Sequence, residues 1–456
     1  MLKLICEKLA YFYRCFNYMI WHILRYWISF LLPAFYKSIQ AKNTRHLRVK
    51  GPVIIAMNHP NAFTDPVAFT MACYPPRLRY LARGDVFKPG FVSWMLENIG
   101  IVPIFRIQDG GKEGLKKNDD AYRRVNELLK KNAKIIVFAE GLCVQERRLR
   151  PLKKGIARMV FGAYEALDND ELIVVPVGVN YDKPDKFRSN LFYNVGEPIY
   201  VKDFIGEYKQ NPARANNLFL QSLEPKMKEL ITHINVEKND EVVYQLEVLL
   251  KRDWVMEQGL KYKNLDESFI VLKQITELVN KTAETNQVAL DEFKSKARIY
   301  FDSLNKNRLR DWLINPKQNK NLTWSMVFIH SILLLLGAPI YIFGFVGNFL
   351  PAFLTDYITR KLVKKPEFYS SIALAISMIV FLVIYCLWFF IGYFLFAFIS
   401  YPIAVCAVFM LSGWFCLYYH PLLLKTAGMY RVLKNRPLSQ ELLKQRESLL
   451  SLINKF

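Results

Sequence analysis

The sequence predicts an α/β domain, a mostly parallel sheet covered by helices, joined through a helical connector to a C-terminal helical membrane region. Three observations carry this expectation. From Lys37 to about Val201 short β-branched runs alternate with helical patterns, the signature of a sheet buried on both faces. Residues from about Phe204 to Lys320 are charged and helical in composition, with few prolines or glycines after Pro225. The stretch from Ser325 to Tyr419 then holds most of the long apolar runs, which marks an integral or tightly anchored membrane protein. A chain of 456 residues is also too long for one ordinary domain.

The elements follow in order. Residues 1–36 are aromatic and apolar but carry Lys3, Glu7, Lys8, Arg14 and Arg25 at intervals. They therefore read as an interfacial amphipathic anchor rather than a signal peptide or a span. Within the α/β domain, taken as residues 37–203, strands are expected at Val53–Met57, Leu78–Leu81, Val102–Phe105, Ile135–Phe138, Ile173–Val179 and Leu191–Val195. A helix is expected after Asn118, with Asp119 and Asp120 in its first turn, Ala121, Val125, Leu128 and Leu129 as its apolar stripe, and Lys130 and Lys131 at its end. The connector takes residues 204–320 and the membrane region residues 321–421. A basic cytoplasmic tail is expected over residues 422–456.

Three apolar stretches make up the membrane region: Ser325–Leu354, Ile372–Ile399 and Pro402–Tyr419. The first is interrupted by Gly337, Pro339, Gly344, Gly347 and Pro351, and is expected to enter and return on one face as a re-entrant hairpin. That arrangement keeps the basic loop with Arg360, Lys361, Lys364 and Lys365 on the same side as the α/β domain.

A formal charge of +22 calls for a polyanion, and beside hydrophobic stretches that partner is the anionic lipid surface rather than nucleic acid. The seven cysteines are scattered, with no C-x-x-C pair, so neither a disulfide framework nor a zinc site is indicated, and no metal or other cofactor is expected.

Chemistry concentrates in Asn58-His59-Pro60-Asn61-Ala62-Phe63-Thr64-Asp65-Pro66, directly after a predicted strand. Asp65 before Pro66 reads as the N-cap of a helix, which places His59 in the strand-to-helix turn. A turn can fold His59 back toward Asp65, where the carboxylate would hold the imidazole in one tautomer and stabilise its protonated form.

With three further motifs, this segment resembles the four ordered blocks of the phospholipid/glycerol acyltransferase family (PlsC-like) over about Lys50 to Val201. The second block is Gly100-Ile101-Val102-Pro103-Ile104-Phe105-Arg106, the third Phe138-Ala139-Glu140-Gly141, and the fourth Val174-Val175-Pro176-Val177-Gly178-Val179-Asn180. Five residues, Pro60 to Thr64, separate His59 from Asp65 where the family usually has four, as in the subset that resembles fungal-type glycerol-3-phosphate acyltransferases. In the third block Ala139 stands where the family has proline, and the family's arginine is missing, with Arg147, Arg148 and Arg150 as stand-ins from a longer loop.

The resemblance implies a membrane-bound enzyme that moves a fatty acyl group from acyl-CoA or acyl carrier protein to glycerol 3-phosphate. The next enzyme of the same chemistry, a lysophosphatidate acyltransferase, is the alternative, and a non-catalytic lipid-binding scaffold the further one. It implies His59 as general base and Asp65 as its support, transferring directly, with Gly100, Arg106, Glu140, Gly141 and Lys153 toward the substrate. A guanidinium at Arg106 suits the acceptor phosphate because its planar fork makes two parallel charge-assisted bonds. Cys143 is the alternative nucleophile, disfavoured because it would need its own base.

Overall fold

In a computed structural model of the chain, the residues described are 26, 28–73, 78–84, 90, 100–104, 120–167, 170–320, 322–396 and 398–456. Two compact units emerge: Met1–His233 with Pro366–Ser371, and Ile234–Lys365 with Ile372–Phe456. Most of the expected N-terminal anchor lies outside the described residues, as do Arg106, Asn118 and Asp119.

Among the described residues, the first unit is built on an eight-stranded sheet. Its strands are β1 (Ser38–Lys42), β2 (Val53–Met57), β3 (Leu78–Arg83), β4 (Ile101–Ile104), β5 (Lys134–Phe138), β6 (Ile173–Tyr181), β7 (Asn190–Val195) and β8 (Ile199–Tyr200). They lie in the order β1-β7-β6-β2-β5-β3-β4, with β8 beside β6. Only β6 pairs antiparallel, with β7 and β8; the other pairings are parallel. Central β2 is buried at every residue, which is why its sequence is a continuous apolar run rather than an alternation. Helices Lys154–Leu167 and Pro212–Glu229 pack Ile156, Val160, Phe161, Phe219 and Leu223 into the core with Ile54, Ile135 and Val174. The helix over residues 120–130 buries Ala121, Val125 and Leu129, as its stripe predicts. All six expected strands are present. The sequence reading missed β1, an edge strand reading Ser-Ile-Gln-Ala-Lys with a single β-branched residue, and the two-residue β8.

In the second unit, helices Asp240–Glu257, Leu265–Thr285, Gln287–Lys306 and Arg436–Ile453 enclose a core that includes Leu246, Leu249, Ile275, Phe293, Tyr300 and Leu449. Buried Arg446 donates to Asp311 at 2.9 Å and lies 3.6 Å from Asp253, fastening the last helix.

Among the described residues, three helices are long and apolar enough to cross a membrane, by length and composition: Trp324–Leu362, Pro366–Leu395 and Ser400–Lys434. The expected break in the first stretch is absent, because Trp324–Leu362 runs on as one 39-residue helix through Pro339 and Pro351. Its glycines are packing surface. A Cβ at Gly344 would lie 2.5 Å from the Ser412 carbonyl oxygen, and one at Gly347 would lie 2.1 Å from the Phe409 ring, so small residues let the helix Ser400–Lys434 approach closely. A continuous helix cannot enter and return.

Chain continuity still constrains topology. The chain leaves the first unit at His233 and rejoins it at Pro366, so it crosses any bilayer an even number of times between them. Among the described residues of that interval, Trp324–Leu362 is the one helix long and apolar enough to cross. Alone it therefore does not carry the chain across. Both of its ends should then lie on one face of the bilayer. A membrane-impermeant maleimide should modify Lys320→Cys and Lys364→Cys from the same face of sealed vesicles. Labelling from opposite faces would show that the helix crosses.

Candidate active site

Strands β2, β5 and β6 run parallel, with Met57 opposite both Phe138 and Val177, so the segments after β2 and β5 and the end of β6 meet at one sheet edge. The Asn58 side chain extends the pairing past the end of β2: its Nδ2 donates to the Val179 carbonyl at 3.1 Å and its Oδ1 accepts the Val179 amide at 2.7 Å. His59 then enters the turn. Its ring stacks on Phe138, with centroids 3.5 Å apart, and its carbonyl accepts the Val144 amide at 3.0 Å.

The helix begins at Thr64, so Asp65 sits inside its first turn instead of capping it. Pro66 has no amide hydrogen to offer, and the turn closes from the Asp65 amide to the Asn61 carbonyl at 3.1 Å. The Asp65 carboxylate reaches back over that turn. Its Oδ2 accepts the Asn61 amide at 2.8 Å and meets His59 Nδ1 at 2.9 Å, while its Oδ1 accepts the Tyr181 hydroxyl at 2.7 Å. The Tyr193 hydroxyl donates to the Asp65 carbonyl at 2.8 Å. Asp65 is fully buried. A carboxylate can only accept, so Nδ1 carries the imidazole proton and Nε2 presents its lone pair. Burial and the Asp65 charge push the Tyr181 and Tyr193 hydroxyls well above their ordinary range, so both stay neutral donors.

The loop after β5 closes beside this turn. Burial raises the Glu140 carboxyl to about 7, opposed by the backbone amide and charge of Arg150 and by the backbone amide of His59. Glu140 thus faces loop amides. Gly141 takes a left-handed φ of 66°, and a Cβ there would crowd Lys153 Cγ at 3.2 Å. The Lys153 amide donates to the Ala139 carbonyl at 2.9 Å, and its side chain is exposed. Cys143 Sγ accepts the Ala62 amide at 3.0 Å, and burial, reinforced by the Asp65 charge, pushes its thiol far up, away from the nucleophilic thiolate. Arg147 donates to the Asp182 carbonyl at 2.9 Å, and Arg148 and Arg150 pair with Glu146 at 3.3 and 2.5 Å. All three loop arginines are thus engaged within the unit.

Of the residues singled out from sequence, His59, Asp65, Glu140, Gly141 and Lys153 lie on the two segments that meet at this edge. Gly100 does not. It precedes β4 and so stands at the opposite edge, where it takes a φ of 90° and its carbonyl accepts the Tyr80 amide at 3.2 Å. Arg106 lies outside the described residues. Sequence reasoning missed Asn58, Asn61, Tyr181 and Tyr193. Tyr181 had a signal, since it continues the alternation of Val177 and Val179 at the end of a predicted strand.

Comparison with known proteins adds to this geometry. Residues 38–180 match the family model described as Acyltransferase. A 92-residue segment is 38% identical to Glycerol-3-phosphate O-acyltransferase 1 of Saccharomyces cerevisiae, covering 20% of this chain and 12% of that one. A 134-residue segment is 27% identical to the chloroplastic 1-acyl-sn-glycerol-3-phosphate acyltransferase LPAT1 of Arabidopsis thaliana, covering 29% of this chain and 35% of that one. The crystal structure of the 1-acyl-sn-glycerophosphate acyltransferase PlsC from Thermotoga maritima aligns with a TM-score of 0.34 at 15% identity, covering 47% of this chain and 80% of that one. The matched segments span 12% and 35% of the two curated relatives' own lengths. Over residues 38–180 the chain therefore carries a domain of the acyltransferase family.

Proposed function

We propose that the chain is a membrane-bound O-acyltransferase that moves a fatty acyl group from acyl-CoA or acyl carrier protein to glycerol 3-phosphate. The observation that carries this reading is the His59–Asp65 couple, fully buried at Asp65 and part-exposed at His59, on a domain of the acyltransferase family. In the proposed reaction, Nε2 takes the proton from an acceptor hydroxyl as its oxygen attacks the thioester carbonyl. Asp65 stabilises the resulting imidazolium, and the carbonyl re-forms as the carbon–sulfur bond breaks. The departing thiolate takes the proton from Nε2 and leaves as a thiol. No acyl-enzyme forms, in keeping with a neutral Cys143. Arg106 and the exposed Lys153 are assigned to the acceptor phosphate, holding the hydroxyl near the carbonyl. Glu140 is assigned to anchoring the His59 turn. The match to a 1-acyl-sn-glycerol-3-phosphate acyltransferase favours lysophosphatidate as the second reading of the acceptor. Because thioester donors are cytosolic, the catalytic unit is placed on the cytoplasmic side, where a formal charge of +22 meets anionic headgroups.

The full chain, purified and supplied with an acyl-CoA, should be tested on glycerol 3-phosphate, dihydroxyacetone phosphate and lysophosphatidate side by side. Glycerol 3-phosphate should give the highest kcat/KM, and His59→Ala should lower it by about 1,000-fold in a chain that stays folded. Acylation of none of the three, or wild-type turnover by a folded His59→Ala variant, would contradict the proposal.

The burial of the Glu140 carboxyl predicts a pH dependence. Its carboxyl is raised from the ordinary 4.5 to about 7 on folding, so between those values the folded chain holds a proton that the unfolded chain has lost. Stability from this group is present at the acid end and declines as pH rises through that window. The Tm of the wild-type chain should therefore fall relative to that of Glu140→Gln as the pH goes from 4.5 to 7. A constant difference across that range would place the carboxyl in water instead.

A further inference from the structure

The helix that carries Asp65 starts at Thr64, whose amide is among those left without an intrahelical partner. It donates instead to Ser371 Oγ at 3.0 Å, 307 positions downstream. The same hydroxyl is hydrogen-bonded to Thr64 Oγ1 at 2.7 Å and lies 3.4 Å from the Asn61 carbonyl oxygen. Its neighbour Ser370 donates to the Pro184 carbonyl at 2.6 Å, and that carbonyl also accepts Asn61 Nδ2 at 3.1 Å. Asn61, Pro184, Ser370, Ser371 and Thr64 thus close a ring of hydrogen bonds around the His59–Asp65 turn. Asn61, Thr64, Ser370 and Ser371 are all buried.

We propose that Ser371 is a positioning residue for acyl transfer: it caps the Asp65 helix from outside and holds the Asp65 carboxylate in register with His59 Nδ1. Two lines support this over simple space-filling. Ser371 Oγ is within hydrogen-bonding distance of three atoms of the one turn that sets the His59–Asp65 distance. Pro184, which Ser370 holds, follows the strand end that supplies Tyr181. Loss of the Ser371 hydroxyl would free the Thr64 amide and let the turn that carries Asn61 loosen, and Asn61 donates to the same Asp65 oxygen that meets His59. Residues 366–371 open the second long apolar helix, Pro366–Leu395, and lie outside residues 38–180, so the family-matching segment alone lacks its cap.

The rate measurement rests on the acyl-transfer reading, so the test includes a second readout that does not. In the full chain, Ser371→Ala should lower kcat about tenfold while both KM values stay within about twofold, because alignment is lost and substrate contact is not. Ser371→Thr, which keeps the hydroxyl, should restore kcat, and Ser377→Ala, on the same helix but bonded to its own Leu374 carbonyl, should leave it unchanged. Independently, the Nδ1 proton resonance of His59, assigned by its loss in His59→Ala, should broaden through exchange with water in Ser371→Ala and sharpen again in Ser371→Thr. Wild-type kcat together with an unaltered resonance in Ser371→Ala would overturn the proposal. A broadened resonance in a chain whose wild type transfers no acyl group would uphold the positioning role and reject the acyl-transfer reading.

Discussion

The buried carboxylate of Asp65 is the constraint on which the site depends. Taking a carboxylate out of water costs several kcal/mol unless its oxygens are satisfied, and here both oxygens are. The Asn61 amide and His59 Nδ1 meet one, and the Tyr181 hydroxyl meets the other. Those partners come from the turn after β2 and the end of β6, and Tyr193 of β7 holds the Asp65 backbone. Sheet order decides that they converge: β6 lies between β7 and β2, so three adjacent strands address one residue. With its carboxylate satisfied, Asp65 can fix the imidazole tautomer without being neutralised itself.

The parallel sheet was legible because its buried strands are continuous apolar, β-branched runs; the limits of β2, Val53–Met57, agree with the sequence reading at both ends. The His59–Asp65 pairing was legible too, since a strand followed by a turn and an Asp-Pro step leaves few ways to place the two side chains. What the sequence did not reveal is long-range. Nothing local marks Tyr193 or Ser371 as partners of Asp65 and Thr64, because those contacts depend on strand order and on the start of a helix 307 positions downstream. Asp65 was misread as a cap because an acidic residue before proline usually is one. Here the missing Pro66 amide moved the closure of the turn back to Asn61.

The membrane region shows the same ambiguity in another form. Gly337, Pro339, Gly344, Gly347 and Pro351 look like breaks when read along the chain, yet glycine in an apolar helix serves close packing as well as it serves a kink. The distinction lies in the partner helix, whose Phe409 and Ser412 fill the space that a side chain at Gly347 or Gly344 would need. Gly100 carries a related lesson. It opens the second sequence block, but it precedes β4, so it stands at the edge of the sheet away from the His59 turn although the block reads as one motif with the first. Adjacency in sequence across a strand is separation in space.

The central claim is that Asp65 acts through the imidazole rather than by holding the fold alone, and kcat of Asp65→Asn tests it most directly. An amide of the same size preserves the packing, its one oxygen accepting the Asn61 amide while its NH2 donates to the Tyr181 hydroxyl oxygen, but it no longer stabilises an imidazolium. The account predicts a fall in kcat of about 100-fold or more, with acceptor and donor KM and the Tm little changed. An Asp65→Asn chain that stays folded and turns over at the wild-type rate would contradict it.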